Sequence, residues 1–344
     1  MNKYKIFTFV WVKILRYILL PIVPIYYLIT WLRNVFYDIG FFKSTSYDLP
    51  IICVGNLSVG GTGKTPMVAH LIEILNTNNL VASLSRGYKR KSTGFVLADN
   101  NATVETIGDE PFQLFKKFEG IIVSVAENRR QGIFNLESLD SVPDVILLDD
   151  AFQHRKVKAG LNILLTSYNN LYIDDLPLPT GNLREPASGA KRAHIIVVTK
   201  CPENISEDEK ASIKKRLQIL PHQLVYFSTV IYSKSILSSE DNRLLKSLNQ
   251  SFTLVTGIAN SEPLVEYLQK SGFNFNHLNY PDHHEFSEGE IAEINKNDFV
   301  LTTEKDYWRL VEKVNTQLYY LPIEIKISAE KDFNESILNF VSRY

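Results

Sequence analysis

Residues 55–66 read Gly55-Asn56-Leu57-Ser58-Val59-Gly60-Gly61-Thr62-Gly63-Lys64-Thr65-Pro66, a set of types and spacings that can hold phosphate. Gly60, Gly61 and Gly63 let backbone N–H groups turn inward around phosphate oxygens. The stretch follows the apolar run Ile51–Gly55 and precedes a helical pattern from Met67 to Leu75. Strand, glycine-rich turn and helix is the context of a phosphate-binding loop, with the helix N-terminus adding positive potential. Lys64 then reaches the β- and γ-phosphates, and the Thr65 hydroxyl sits on Mg²⁺. The full pattern G-x-x-x-x-G-K-[ST] asks for glycine at position 58, where this chain has Ser58.

A second signal is Val145-Ile146-Leu147-Leu148-Asp149-Asp150, an apolar strand ending in acid. Such a strand aims a carboxylate at the Mg²⁺ shell from its C-terminal edge. Adjacent acids point to opposite faces if the strand continues, so either Asp149 or Asp150 is placed for the metal. Gln153 and His154 follow at once, and His154 is open to a phosphate contact or a structural role. Asp109, in Gly108-Asp109-Glu110-Pro111, suits either a helix N-cap or a general base for an attacking hydroxyl. Asp282-His283-His284 lies far downstream, without the cysteines that would suggest zinc. Basic residues cluster around Arg86, Arg129-Arg130, Arg184 and Lys305. Most follow apolar strands, where ligand-facing loops gather in open α/β sheets.

The elements that position these groups alternate. Short apolar runs at 51–55, 80–84, 121–125, 145–148, 161–165 and 195–198 read as strands buried on both faces. Helical patterns fall between several of them, which predicts an α/β, P-loop-type, doubly wound, mostly parallel sheet. A helix running to Leu220 and a strand over 224–232 come next. A second α/β series follows: strands 252–256, 298–302 and 317–321, with helices 261–271, 306–313 and 331–342. We therefore expect an N-terminal segment over 1–47, a P-loop core over 48–220 and a smaller α/β domain over 221–344.

Composition narrows the partners. Across 344 residues the formal net charge is -1, so no global basic field argues for nucleic acid. Cys53 and Cys201, the only cysteines, adjoin apolar strands and suit buried thiols in a reducing compartment. Residues 1–47 differ from this average, with Lys3, Lys5, Lys13, Arg16, Arg33 and Lys43 against Asp38 alone. Between Arg16 and Arg33 runs the uncharged segment Tyr17–Leu32. A spanning helix needs about 20 apolar residues, so this run is short, and Pro21 and Pro24 interrupt it. Trp11, Tyr17, Tyr26, Tyr27 and Trp31 suit a membrane interface, and the flanking cations suit anionic headgroups. An interfacial anchor, a tilted span and a buried core helix are the readings of this segment. In either membrane case the body stays on the positive, cytoplasmic side.

Taken together, these residues resemble one family closely, the tetraacyldisaccharide 4′-kinases of lipid A biosynthesis. The 55–66 block looks like that family's form of the P-loop, in which Ser58 is expected. Ser85-Arg86-Gly87-Tyr88, Gly108–Pro111, Asp149–His154, Leu183-Arg184-Glu185-Pro186, Asp282–His284 and Thr303-Glu304-Lys305-Asp306 follow in the family's order. The basic, aromatic N-terminus resembles its membrane-associating helix.

The resemblance implies ATP- and Mg²⁺-dependent phosphorylation of the 4′-hydroxyl of a tetraacyldisaccharide 1-phosphate. It places the enzyme at the cytoplasmic face of the inner membrane of a Gram-negative bacterium. The partners are then the lipid A disaccharide precursor and inner-membrane lipid, with no protein partner implied. Carried over, Asp109 is the base, His283 its dyad partner, and Lys64 a catalytic cation. Ser58 to Pro66 bind ATP, and Thr65, Asp149 and Asp150 serve Mg²⁺. Arg86, Arg184 and Lys305 meet anionic ligands.

Two other classes compete. A membrane-targeted partition or switch ATPase also uses Gly-Gly-x-Gly-Lys-Thr, but generally with lysine just before the paired glycines, where this chain has Val59. A GTPase-like module would need Asn-Lys-x-Asp, and Thr199-Lys200-Cys201-Pro202 lacks it.

Overall fold

Continuous apolar runs build a nine-stranded sheet at the centre of the molecule. The computed structural model describes residues 16–248 and 251–344, so Lys3, Lys5, Trp11 and Lys13 lie outside the described residues. The sheet begins with β1 (Ile51–Asn56), β2 (Val81–Ser85), β3 (Val96–Leu97), β4 (Ile122–Val125) and β5 (Val145–Asp149). It continues with β6 (Leu161–Ser167), β7 (Ile195–Thr199) and β8 (Leu224–Tyr232). A second sheet of six strands holds β9 (Ser235–Leu237), β10 (Asn242–Leu244), β11 (Phe252–Thr256), β12 (Phe275–Asn279), β13 (Phe299–Thr303) and β14 (Gln317–Leu321). The chain then returns, and β15 (Ile323–Ile327) closes the edge of the first sheet antiparallel to β8.

The large sheet has the order β15-β8-β7-β6-β1-β5-β2-β4-β3. Only its two outer pairs, β15–β8 and β3–β4, run antiparallel. β1, β2, β5 and β7 are buried at every position. Along β1, Ile51 and Cys53 join the core on one face, and Ile52 and Val54 the core on the other. Alternate side chains of a strand point to opposite faces, so an unbroken apolar run is what a sheet covered on both sides requires. Each such side chain contributes about 1.5–3 kcal/mol on burial.

Register brings the two nucleotide signals together. Val54 pairs with Asp149, so β1 and β5 end side by side. One runs into the glycine-rich loop and the other into the acid pair. The helix that follows the loop, Lys64–Leu75, buries Met67, Val68, Leu71, Ile72 and Leu75. The C-terminal helix Glu330–Val341 covers it, with the Phe333 ring 6.0 Å from that of His70.

Sheet membership does not follow a contiguous division at residue 220. β8 and β15 belong to the large sheet and the last helix packs on it, so the smaller lobe is an insertion between β8 and β15. The reason is packing: Phe333, Ile337 and Phe340 share a core with the loop helix. β12, β15 and the helix Glu288–Ile294 were not anticipated; β12 and β15 alternate polar and apolar residues at sheet edges.

The prolines of the N-terminal segment interrupt its helical run, as expected. Pro21 lies in the short 3-10 turn Leu20–Ile22, and Pro24 is the second residue of the helix Val23–Asp38. Residues 16–18 are helical, the α-helix breaks at 19–22, and it restarts at Val23 because proline is tolerated in a first turn, whose N–H groups have no intrahelical partner. It has 16 residues, roughly 24 Å at 1.5 Å per residue. No described helix is long and apolar enough to cross a membrane.

Gly55 sets up one test of this packing. A Cβ there would lie 2.6 Å from Phe152 Cβ and 3.0 Å from its backbone nitrogen. Gly55→Ala is expected to lower unfolding stability by about 1–3 kcal/mol, read from the denaturant midpoint. A midpoint matching the parent protein would contradict the close approach of β1 to the loop after β5.

Candidate active site

A cleft of about 870 Å³ lies where the C-terminal ends of the central strands face the smaller lobe. Ser58 to Met67 form one wall, with Asp149, Asp150 and Arg184 beside them. Asp109, Asp282, His283 and Lys305 form the opposite side, and Arg86 and Tyr88 lie between.

The loop is fixed from several directions. Gly60 and Gly63 adopt φ values of 109° and 86°, a left-handed region that favours glycine. Ser58 forms a β-bridge with Leu183, which uses extended backbone where the commoner loop has glycine. The Val59 N–H donates to Asn182 O at 2.8 Å, and Asn56 Nδ2 donates to Thr62 Oγ1 at 2.7 Å. On the far side, Lys200 Nζ donates to Gly61 O at 2.6 Å and Thr199 Oγ1 to Thr62 O at 2.8 Å. Lys64 and Thr65 then open the helix, with Pro66 in its first turn.

The two adjacent acids have different surroundings. Asp150 has φ 49° and turns toward cations: Lys64 Nζ is 3.8 Å away, and Arg184 donates to both oxygens at 2.6 and 3.1 Å. Burial raises its carboxyl, but Lys64 and Arg184 outweigh that and lower it. Asp149 is buried, and its Oδ1 has no hydrogen-bond partner. Burial, and after it the charge of Glu110, push the Asp149 carboxyl well above the ordinary range. Arg129, also buried, donates to the Asp149 carbonyl at 3.4 Å. His154 is held neutral, its pKa lowered to about 4 by burial and by the charges of Arg129 and Arg86.

Asp109 opens the helix Asp109–Lys117 in the large lobe. His283 Nδ1 lies 2.7 Å from its Oδ2. The smaller lobe supplies that histidine, which has φ 57° and donates its N–H to Gly257 O. Lys305 Nζ lies 2.9 Å from His283 Nε2 and 3.0 Å from Asp282 Oδ1. Lysine only donates, so Nε2 accepts, while Arg309 Nη2, another donor, lies 2.9 Å from Nδ1. The Tyr88 ring meets the imidazole edge to face at 5.4 Å. His284 turns the other way, to Glu290 at 3.0 Å, and stacks on Tyr280. The choice between the adjacent histidines is therefore geometric: His283 meets Asp109.

Comparison with known proteins fits this arrangement. Residues 15–342 match the family described as tetraacyldisaccharide-1-P 4′-kinase. A protein of Flavobacterium johnsoniae named tetraacyldisaccharide 4′-kinase is 50% identical over 335 residues, covering 96% of this chain and 98% of its own. Its namesake in Bacteroides thetaiotaomicron is 43% identical over 351 residues, covering 94% and 92%. This chain belongs to that kinase family. The crystal structure of LpxK from Aquifex aeolicus in complex with ATP superposes with a TM-score of 0.77 at 29% identity, over 95% of this chain and 99% of that one. The kinase fold and the enzyme class expected from the sequence are thus those of the family, and the partition-ATPase and GTPase-like readings fall away.

Some residues of this kinase sit differently from what their motifs imply. Arg184 lines the cleft but is engaged with Asp150 and the Asn56 carbonyl. Lys305 is part of the histidine's surroundings. Arg86 lines the cleft as an exposed cation. Two neighbours escaped the motifs. Arg129 was given no role. Arg309 ion-pairs with Asp109; it lies one helical turn after Lys305, on the same face, which is the signal that would have found it.

Proposed function

We propose that this chain transfers the γ-phosphoryl group of ATP to the 4′-hydroxyl of a tetraacyldisaccharide 1-phosphate in lipid A biosynthesis. The observation that carries the reading is Asp109, paired with His283 at 2.7 Å, facing the phosphate loop across one cleft. In this reading the Ser58–Pro66 backbone cradles the phosphates, and Lys64 leaves Asp150 for the β- and γ-oxygens. Arg86 and Lys305 line the acceptor side, where the substrate is anionic. Asp109 orients the sugar hydroxyl and takes its proton late, as the new phosphate ester forms. Charge spreads over the transferred oxygens in this chemistry, so placement and fixed cations dominate. The test is incubation with Mg-ATP and the monophosphorylated lipid precursor. A doubly phosphorylated lipid is expected, and ATP hydrolysis without it would overturn the reading.

Mg²⁺ fits the residues at the loop. Asp149 Oδ1 is buried without a partner, and burial with the charges of Glu110 and Asp150 outweighs Lys64 and Arg129 in opposing its ionisation, so a cation there would offset both costs. Thr65 and Asp149 would hold it, with Asp150 beside them already balanced by Lys64 and Arg184. Bound there, Mg²⁺ would neutralise charge on the phosphate oxygens. Among the described residues no group of three or more His, Cys, Asp or Glu could hold a metal. Mg²⁺ at phosphate sites commonly takes one or two carboxylates and keeps several waters.

The helix Val23–Asp38 supports docking on the cytoplasmic face of the inner membrane. Its polar side is turned inward. Tyr26 donates to Arg184 O at 2.8 Å, and Asn34 Nδ2 to Glu185 Oε2 at 2.6 Å. Its outward side is apolar, with Ile25, Leu28 and Ile29 at 60%, 51% and 61% exposure. That is the reverse of a water-facing helix and suits an interfacial anchor. Ile25→Glu with Ile29→Glu should weaken binding to anionic vesicles at least about tenfold, since each isoleucine contributes about 1.5–3 kcal/mol when buried. The melting temperature should stay unchanged. Equal vesicle binding by the double variant would remove this helix from the docking surface.

A further inference from the structure

Arg309 belongs to no motif, yet it grips the proposed base more fully than any other side chain. Its Nε donates to Asp109 Oδ1 at 2.7 Å, and its Nη2 donates to Asp109 Oδ2. One planar guanidinium thus spans both carboxylate oxygens, the geometry for which arginine is suited. The pair is secluded, with side chains 10% and 6% exposed. Arg309 is itself held from behind. Its Nη1 lies 3.8 Å from Asp306 Oδ1, and Asp306 is fully buried. Asp306 Oδ2 accepts from the Gly257 N–H and the Thr303 hydroxyl at 2.8 and 2.7 Å.

The topology gives this grip a second property. Asp109 stands on a helix of the large lobe. Arg309 and His283 both come from the smaller lobe, which is inserted between β8 and β15. The base and both of its donors therefore meet only while the lobes are together.

We propose that Arg309 is a positioning residue for phosphoryl transfer, acting through Asp109: it keeps the carboxylate ionised and aimed, and ties that state to the apposition of the two lobes. The proposal rests on the reading of Asp109 as the base. Burial alone favours a protonated carboxyl. Here the hydrogen bonds from His283 and Arg309, with the guanidinium charge, outweigh burial and hold Asp109 at about 2. Oδ1 accepts only from Arg309 Nε and keeps a second lone pair, so the grip still leaves an acceptor for a sugar hydroxyl. His283 and Arg309 converge on Asp109 Oδ2, and Arg309 Nη2 also lies 2.9 Å from His283 Nδ1. Other charges around the pair are Glu110 on the same helix, Asp282, Lys305 and Asp306 from the smaller lobe, and Arg86 on the cleft wall. None of them donates a hydrogen bond to Asp109 in place of Arg309.

The test compares the parent protein with Arg309→Gln and Arg309→Lys, measuring kcat and both KM values from pH 5.5 to 9. Arg309→Gln is expected to lower kcat about tenfold or more, a fraction of the loss expected for the base itself. Its ATP KM should stay within about twofold, because a positioning effect on the base leaves ground-state nucleotide binding alone. Without the guanidinium, burial raises the Asp109 carboxyl, so the variant's deficit should deepen toward pH 5.5, where the parent carboxylate, held at about 2, stays ionised. Arg309→Lys keeps a charge but not the fork, and should recover part of both effects. Combined with Asp109→Asn, Arg309→Gln should add little, since the carboxylate through which it acts is gone. A deficit no deeper at pH 5.5 than at pH 9, a loss confined to KM, or multiplicative losses in the double variant would each overturn the proposal. If Arg309→Gln does not fold, Arg309→Lys decides, and a parent-like kcat and pH profile in it refutes the role. The parent protein in the same assay keeps the two readings apart: lipid phosphorylation by it upholds the function even where the Arg309 variants behave like it.

Discussion

Lys64→Ala is expected to abolish most lipid phosphorylation, lowering kcat by about 10³-fold, the upper range for removing one preorganised electrostatic group. That corresponds to about 4 kcal/mol of lost transition-state stabilisation. The argument starts from position. Lys64 is the first residue of the loop helix, and its side chain is only 15% exposed. Its ammonium rests 3.8 Å from Asp150, so it is already in the cleft and already desolvated on one side. Asp150 keeps Arg184 as a partner when Lys64 turns to phosphate, so the move leaves no unpaired carboxylate behind. The fold should survive the truncation, because the loop is also tied by Asn56, Asn182, Thr199 and Lys200. Turnover should be measured at saturating Mg-ATP and lipid, alongside the thermal melt. A variant retaining a tenth or more of parental kcat would remove Lys64 from the chemistry.

Asp109→Asn is expected to cost about 10²–10⁴-fold in kcat, the span associated with a positioned general base, or roughly 3–5 kcal/mol. The amide keeps the shape and removes the charge. It also leaves Arg309 with a buried cation whose chief partner has become neutral, so stability should fall as well. Activity must therefore be referred to folded protein, and ATP affinity measured directly. Nucleotide binding should change little, because Asp109 faces the phosphate loop across the cleft and does not touch it. Near-parental turnover, or a defect explained wholly by weaker ATP binding, would remove Asp109 from the role of base.

Those two residues also mark what sequence can reveal. Lys64 was legible because its chemistry is local: a strand, a tight turn and a helix must follow one another within about a dozen positions to make a phosphate cradle. The parallel strands were legible for a related reason, since burial on both faces demands unbroken apolar runs. The pair Asp109–His283 spans 174 positions and Asp109–Arg309 spans 200. No periodicity carries information over that separation, and only the resemblance to a known family brought Asp109 and His283 together. Arg309 lay outside the quoted motifs and so stayed hidden. Which lobe owns the C-terminus was equally invisible. Ile323–Ile327 alternates apolar and charged residues like many edge strands, and nothing local tells it to pair with β8 rather than β14. The break near residue 21 was legible because proline disrupts a helix interior yet is tolerated in the first turn of the helix that follows.

The dipeptide Arg184–Glu185 joins two ends of the molecule. The Arg184 side chain grips Asp150 at the phosphate loop, while its carbonyl accepts from Tyr26 of the N-terminal helix. Glu185, one residue on and almost fully buried, accepts from Asn34 of that helix as well as from Gln153 and Arg192. The outward-facing isoleucines and the phosphate loop are therefore linked through two adjacent residues and have little freedom to shift separately. On the proposed docking, this fixes a working height. The bilayer surface and the site of phosphate transfer stand at a set separation, like a tool held by a jig, and a sugar headgroup need rise only that far for its hydroxyl to be reached while its acyl chains stay in the lipid.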